Sequence, residues 1–123
     1  MRVHVIHGIG DLARDLREIP VQVSAGTARV TGRRALEGAK RARGFARVTA
    51  RAHGKHYPDA IDAEPITPHE WEFGPEASKD QGGMSFEWGS RNQKPHRDLN
   101  NAADIVAPAW RRDIGDVLDE AFW

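Results

Sequence analysis

Glu72-Phe73-Gly74-Pro75, a polar stretch, then Gly82-Gly83-Met84-Ser85-Phe86-Glu87-Trp88-Gly89-Ser90-Arg91-Asn92-Gln93-Lys94-Pro95-His96-Arg97-Asp98-Leu99: this segment decides the fold class. Just before and into it, residues 69–73 alternate, with Trp71 and Phe73 on one face and Glu70 and Glu72 on the other. A period of two predicts a half-buried strand. Residues 84–88 alternate again, with Met84, Phe86 and Trp88 apolar and Ser85 and Glu87 polar, which predicts a second strand. The polar, glycine-rich stretch near residues 75–83 is expected to be a mobile loop. Residues 89–101 read as loop. Asn101 or Asp104 then caps a closing helix, whose apolar face carries Ile105, Ala109, Ile114, Val117, Leu118 and Ala121.

Upstream, Ala60, Ile61 and Ile66, broken by Pro65, predict an irregular edge strand. The run His53-Gly54-Lys55-His56-Tyr57-Pro58 ends a long helix expected from about Val21 to about Ala52. Ala and Arg favour that helix. Gly26, Gly32, Gly38 and Gly44 oppose it at roughly 1 kcal/mol each, so packing must hold it. Projected at about 100° per residue, it shows a small-residue face of Ala35, Ala39, Ala42, Ala46 and Ala50, with Phe45 beside it. A basic face carries Arg33, Lys40, Arg43, Arg47 and Arg51. Further upstream, Asp11 is expected to cap a short helix that Pro20 interrupts, and Val3, Val5 and Ile6 read as a strand. The order predicts an α+β domain over residues 1–123: a small antiparallel sheet of three to four strands packed against one long helix and a C-terminal helix.

The absence of cysteine excludes disulfides and cysteine-based metal sites. No apolar run approaches the ~20 residues needed to cross a membrane, and residues 1–10 hold no signal-peptide core. A soluble chain with no membrane partner is expected. The net charge of zero conceals segregation. Residues 29–56 hold nine basic side chains and one acidic, a net of +8, whereas residues 57–123 hold six and fourteen, a net of −8. Two terminal aromatics, Phe122 and Trp123, would be a liability if exposed, and are expected to bury against this subunit or a neighbour.

Catalytic and metal chemistry finds little support in the pattern. His4 and His7, and His53 and His56, are pairs without a third ligand in view. Glu70, Glu72 and Glu87 alternate with aromatics, which makes them the solvent face of a sheet rather than an acid–base pair. Ser78, Ser85 and Ser90 lack an elbow motif, and no phosphate-binding or dinucleotide fingerprint occurs. The expectation is therefore no catalytic residue, no metal and no cofactor. The basic helix over residues 29–56 offers one alternative, a nucleic-acid-binding domain that tracks phosphates without reading sequence. The charge arithmetic favours pairing of that helix with the acidic part of the same chain or of the next subunit.

In order along the chain stand the Ala/Arg helix at residues 35–51, Tyr57-Pro58, Phe73-Gly74-Pro75, Lys79-Asp80-Gln81-Gly82, Phe86-Glu87-Trp88-Gly89-Ser90, and Asn92, Pro95 and His96 before a closing helix. This order resembles the small head–tail connector and tail-completion proteins of long-tailed bacteriophages, over roughly residues 25–123. Where the family more often has Glu-Phe-Gly or Glu-Tyr-Gly, this chain has Glu87-Trp88-Gly89. The resemblance implies a non-enzymatic virion protein, assembled in the host cytoplasm. It would form a ring, usually hexameric, at the neck between portal-bound connector proteins and the tail tube, with genomic DNA passing through the lumen. Subunit or ring–ring contacts are then expected at the basic face (Arg33, Lys40, Arg43, Arg47, Arg51), at the polar loop (Lys79, Asp80, Gln81), and at the aromatic positions Phe86, Trp88, Phe122 and Trp123 with Glu87.

Overall fold

Alanine at 35, 39, 42, 46 and 50 leaves one side of the long helix nearly smooth, and all five are buried. That smooth side is where the rest of the chain packs. A computed structural model describes residues 9–50, 54–76, 83–91 and 94–123. Its elements, in order, are α1 (Ile9–Thr49), α2 (Tyr57–Ala60), β1 (Ile61–Thr67), β2 (Glu70–Pro75), α3 (Gly83–Trp88) and α4 (Asp98–Phe122). This is an α+β arrangement: one long helix, a C-terminal helix and an antiparallel hairpin.

Helix α1 runs for 41 residues, with Pro20 inside it. The short helix expected before Pro20 and the long one after it are therefore a single element. Proline removes one hydrogen bond, to the carbonyl of Leu16. Leu16 is exposed, so water can satisfy that carbonyl. Helix α4 likewise tolerates Pro108 within its 25 residues. It runs antiparallel to α1, since Thr49 meets Asp98 near one end while Gly26 meets Val117 near the other. Ala102, Val106, Ala109, Val117 and Ala121 form its buried face. Of the predicted face, Ile105 and Leu118 point outward instead.

β1 and β2 pair antiparallel, with Ala63 opposite Phe73, Glu64 opposite Glu72 and Pro65 opposite Trp71. An irregularity between Pro65 and Thr67 matches the broken edge strand expected there. The inner row fits the glycines of α1: a Cβ built at Gly38 would lie 2.6 Å from the Phe73 ring, and one at Gly32 3.1 Å from Trp71. These glycines permit close approach of sheet to helix. At the turn, the His69 ring lies 2.9 Å from the Ser24 carbonyl, which ties the hairpin to α1 again.

Of the three to four strands expected, the described residues show two, paired in one sheet. One expectation is corrected. Residues 83–88 form α3 rather than a strand. Alternation over five residues carries too little phase to separate the two periods. Phe86 and Glu87, which a strand would send to opposite faces, are both buried, while Trp88 is exposed. The strand read at residues 3–6 and most of the loop near 75–83 lie outside the described residues. Around the Ala face, Ala39, Ala42 and Ala46 join Tyr57, Ile61, Phe86 and Ala102 in one core, with Phe45, Ala63, Phe73 and Leu99 packed on it.

Candidate interaction surfaces

The start of α4 has no local side-chain cap. Arg97 occupies the cap position in the left-handed region, with φ 56°. The first turn of a helix leaves N–H groups without partners. Here Glu87 of α3 supplies them with an acceptor. Its carboxylate accepts from the Leu99 N–H at 2.8 Å and the Asn100 N–H at 2.9 Å, and also from the Asn100 side-chain amide. The negative charge sits at the positive end of the helix dipole. Next to it, Phe86 packs against Tyr57, with ring centroids 4.8 Å apart, and stacks on His96 at 5.4 Å. Its carbonyl accepts from the His96 N–H at 2.6 Å. Glu87 therefore does structural work inside the subunit and is not on a solvent face.

Asp98, the first residue of α4, is fully buried and accepts the Thr49 hydroxyl at 2.9 Å. Burial pushes its carboxyl above the usual range, against the pull of that hydrogen bond and of His96. Farther along, Asp113 is held by two arginines. Arg34 donates to both of its oxygens, at 2.6 and 3.2 Å, and Arg33 donates at 2.9 Å. The hydrogen bonds from Arg34 lead in lowering the Asp113 carboxyl to about 2. The same contact raises the Arg34 guanidinium, which also donates to Glu37 at 2.8 Å.

Two charged surfaces are exposed beside these contacts. Direct partners in an antiparallel pair share a face. The outer face of the hairpin is thus Asp62, Glu64, Glu70 and Glu72, all exposed. Glu64 stands directly opposite Glu72, a like-charge pair that disfavours the hairpin. The exposed arc of α1 carries Arg29, Arg33, Lys40, Arg41 and Arg47. Of these, Arg29 and Lys40 have no ion pair among the described residues, and Arg47 reaches only 3.9 Å from the exposed Asp59. The hairpin's inner face packs on α1 through Gly32 and Gly38, so its acidic face points away from the helix. The basic arc lies on the other side of α1. Acidic and basic surfaces therefore face opposite directions.

Among the interface residues expected from sequence, the exposed ones are Arg33, Lys40, Arg47, Trp88, Phe122 and Trp123. Trp123 is 81% exposed, so the terminal aromatics do not bury against their own subunit. Arg43 is half-buried and donates to the Ile61 carbonyl at 2.8 Å, locking α1 to β1. Phe86 and Glu87 are internal and unavailable as surface contacts. Arg51, Lys79, Asp80 and Gln81 lie outside the described residues. Sequence reasoning missed Arg34, Asp98 and Asp113. The opposed charges of residues 29–56 and 57–123 pointed to such pairing without saying which carboxylate would serve.

An apolar groove of ≈ 300 Å³ runs between α1, the hairpin and α4, walled by Trp71, Phe73, Val106 and Trp110. The Trp110 indole N–H donates to Thr31 across it, at 3.0 Å. Among the described residues, no group of three His, Asp or Glu side chains is placed to hold a metal ion. No described helix is long and apolar enough to cross a membrane. No family model, curated protein or solved structure matches this chain.

Proposed function

We propose that this protein is a structural subunit that assembles head-to-tail into a ring, and that the ring is a neck component of a bacteriophage virion. The observation that carries the reading is the pair of charged surfaces facing opposite directions, acidic on the hairpin and basic on α1. A two-fold dimer needs a self-complementary patch, and neither surface is one. A head-to-tail contact needs two different complementary patches, and its repetition gives a ring where the rotation closes and an open filament where it does not; the likeness to ring-forming neck proteins favours the ring. The order of sequence landmarks shared with head–tail connector and tail-completion proteins supports placing that ring between portal and tail tube. Its role there would be tail completion, termination or connection, without turnover of any substrate. Any cations left facing the lumen would meet DNA without reading its sequence.

Nucleic-acid binding by the basic helix is the weaker reading. Arg33 and Arg34 are committed to Asp113, and Arg43 to a backbone carbonyl, which leaves few cations to track phosphates. Light scattering and negative-stain imaging of the purified protein test the ring. A discrete annular species supports it. A protein that stays monomeric at high concentration and does not enter assembled necks contradicts it. Duplex-DNA binding that weakens with salt and is lost in Arg29→Ala/Lys40→Ala would favour the second reading.

A further inference from the structure

Four glycines of α1, at 26, 32, 38 and 44, stand six residues apart. That spacing rotates successive positions by a net of about 120°, so Gly26 and Gly44, 18 residues apart, share one side of the helix about five turns from each other. Three of the four receive an apolar side chain from the same chain. A Cβ at Gly26 would lie 2.7 Å from Val117, one at Gly32 3.1 Å from Trp71, and one at Gly38 2.6 Å from Phe73. Gly44 differs. Among the described residues nothing lies within 4 Å of its missing Cβ, and the residue is exposed. Helix α4 covers that side of α1 at Gly26 but lies over the Ala face, near Thr49, at the other end. The fourth notch is left open.

The surroundings of the notch are basic. Lys40, Arg41 and Arg47 frame it, with Val48, 80% exposed, on its edge. The hairpin offers the converse. Ile66, 55% exposed, sits at the strand irregularity, next to Glu64, Glu70 and Glu72. The lengths agree as well. β1, of seven residues, spans about 23 Å, and the α1 arc from Arg33 to Val48 about 24 Å.

Resting on the ring reading, we infer that the subunit contact is made by the acidic outer face of one hairpin lying along the basic arc of a second copy's α1, with Ile66 seated over Gly44. Lys40, Arg41 and Arg47 then lie along the row of Glu64, Glu70 and Glu72, which relieves the like-charge opposition on the hairpin. The glycine that weakens α1 gains the close approach that the described residues of its own chain do not provide. The two patches lie on opposite sides of the subunit, so the contact is heterologous and propagates. A footprint of this size belongs to the weak, concentration-dependent class of interfaces, and charge at its rim makes it salt-sensitive.

The chain has no cysteine, so engineered thiols report cleanly. Gly44→Cys and Ile66→Cys proteins are mixed and oxidised at a concentration where the wild type assembles. The contact predicts a disulfide-linked dimer in the mixture, and higher oligomers when both thiols are in one chain. In parallel, sedimentation is measured for Lys40→Glu/Arg47→Glu, for Glu64→Lys/Glu72→Lys and for all four changes together. Each pair should weaken self-association at least tenfold while circular dichroism and melting stay native-like, and the fourfold variant should recover most of the loss. A wild type that assembles but shows no mixed cross-link, with pairs that leave assembly unchanged, overturns this contact and leaves the ring reading standing. A wild type that never assembles overturns both.

Discussion

Changing Gly38 and Gly44 to alanine separately gives a direct test of how α1 is used. Both positions lie within one continuous helix, so alanine should gain the same intrinsic propensity at each, about 1 kcal/mol. What differs is the space. At Gly44 the new methyl meets nothing within 4 Å among the described residues, and the gain should appear nearly whole. At Gly38 the methyl would lie 2.6 to 2.9 Å from three atoms of the Phe73 ring, closer than carbon atoms can stand. The ring is one rigid unit on β2, and Phe73 packs on the core, so the hairpin itself must yield. Overpacking of this kind costs about 1–3 kcal/mol. The net expectation is about 1 kcal/mol of stabilisation for Gly44→Ala, and zero to about 2 kcal/mol of destabilisation for Gly38→Ala. Urea or thermal denaturation of the two variants beside wild type, at concentrations where all are monomeric, measures the difference. For a chain of this size 1 kcal/mol moves the midpoint by about 3–5 °C. Two variants that shift together, or a more stable Gly38→Ala, would refute the close approach of hairpin to helix.

Glu87→Ala should destabilise the fold by about 2–4 kcal/mol, because the Leu99 and Asn100 N–H groups lose a charged acceptor; Glu87→Gln, which keeps one acceptor oxygen, should lose less. Chemical denaturation of the pair checks this, and equal stability of Glu87→Ala and wild type would contradict the capping role. Asp113 has a folded-state pKa held at about 2, below its unfolded value, so its contribution is present above about pH 4 and is lost as pH falls toward 2. Asp113→Asn should accordingly be less stable than wild type at neutral pH, with the gap closing over that acid window in pH-dependent melts. Asp98 shifts the other way: its raised pKa means that its contribution is complete below about pH 4 and is lost as pH rises through the folded value. Asp98→Asn, which keeps an acceptor for Thr49, should therefore gain on wild type as pH rises. Arg97→Gly should relieve a left-handed backbone and raise stability by about 0.5–1 kcal/mol in the same denaturation assay.

The long helix and its small-residue face were legible because alanine spacing over about four turns fixes a phase that nothing local contradicts. The inward Trp71 and Phe73 and the outward Glu70 and Glu72 were legible for the same reason on a strand. Residues 84–88 were not, because five residues of alternation suit a short helix equally well when two neighbours, Phe86 and Glu87, are both drawn inward. What draws Glu87 in is the bare first turn of α4, a requirement set across eleven residues of sequence and invisible to local pattern. The start of α4 was misplaced by the same reasoning. Asn101 and Asp104 look like caps, but the acceptor comes from another element, and the helix begins at Asp98. Pro20 misled in the opposite sense, since one lost hydrogen bond at an exposed turn does not end a helix. On the charged surfaces, the segregation of sign was plain. Which charges are spent internally is set by tertiary packing: Arg34 is bound to Asp113, while Lys40 has no ion pair among the described residues.

Head-to-tail assembly is the central claim, and native mass spectrometry of the purified protein across a concentration series, at low ionic strength, tests it most directly. The account predicts a closed ring of one stoichiometry, six by resemblance to the neck proteins, that grows with concentration and dissociates to monomer as salt is raised. A monomer at every concentration, or a salt-insensitive two-fold dimer, would contradict it.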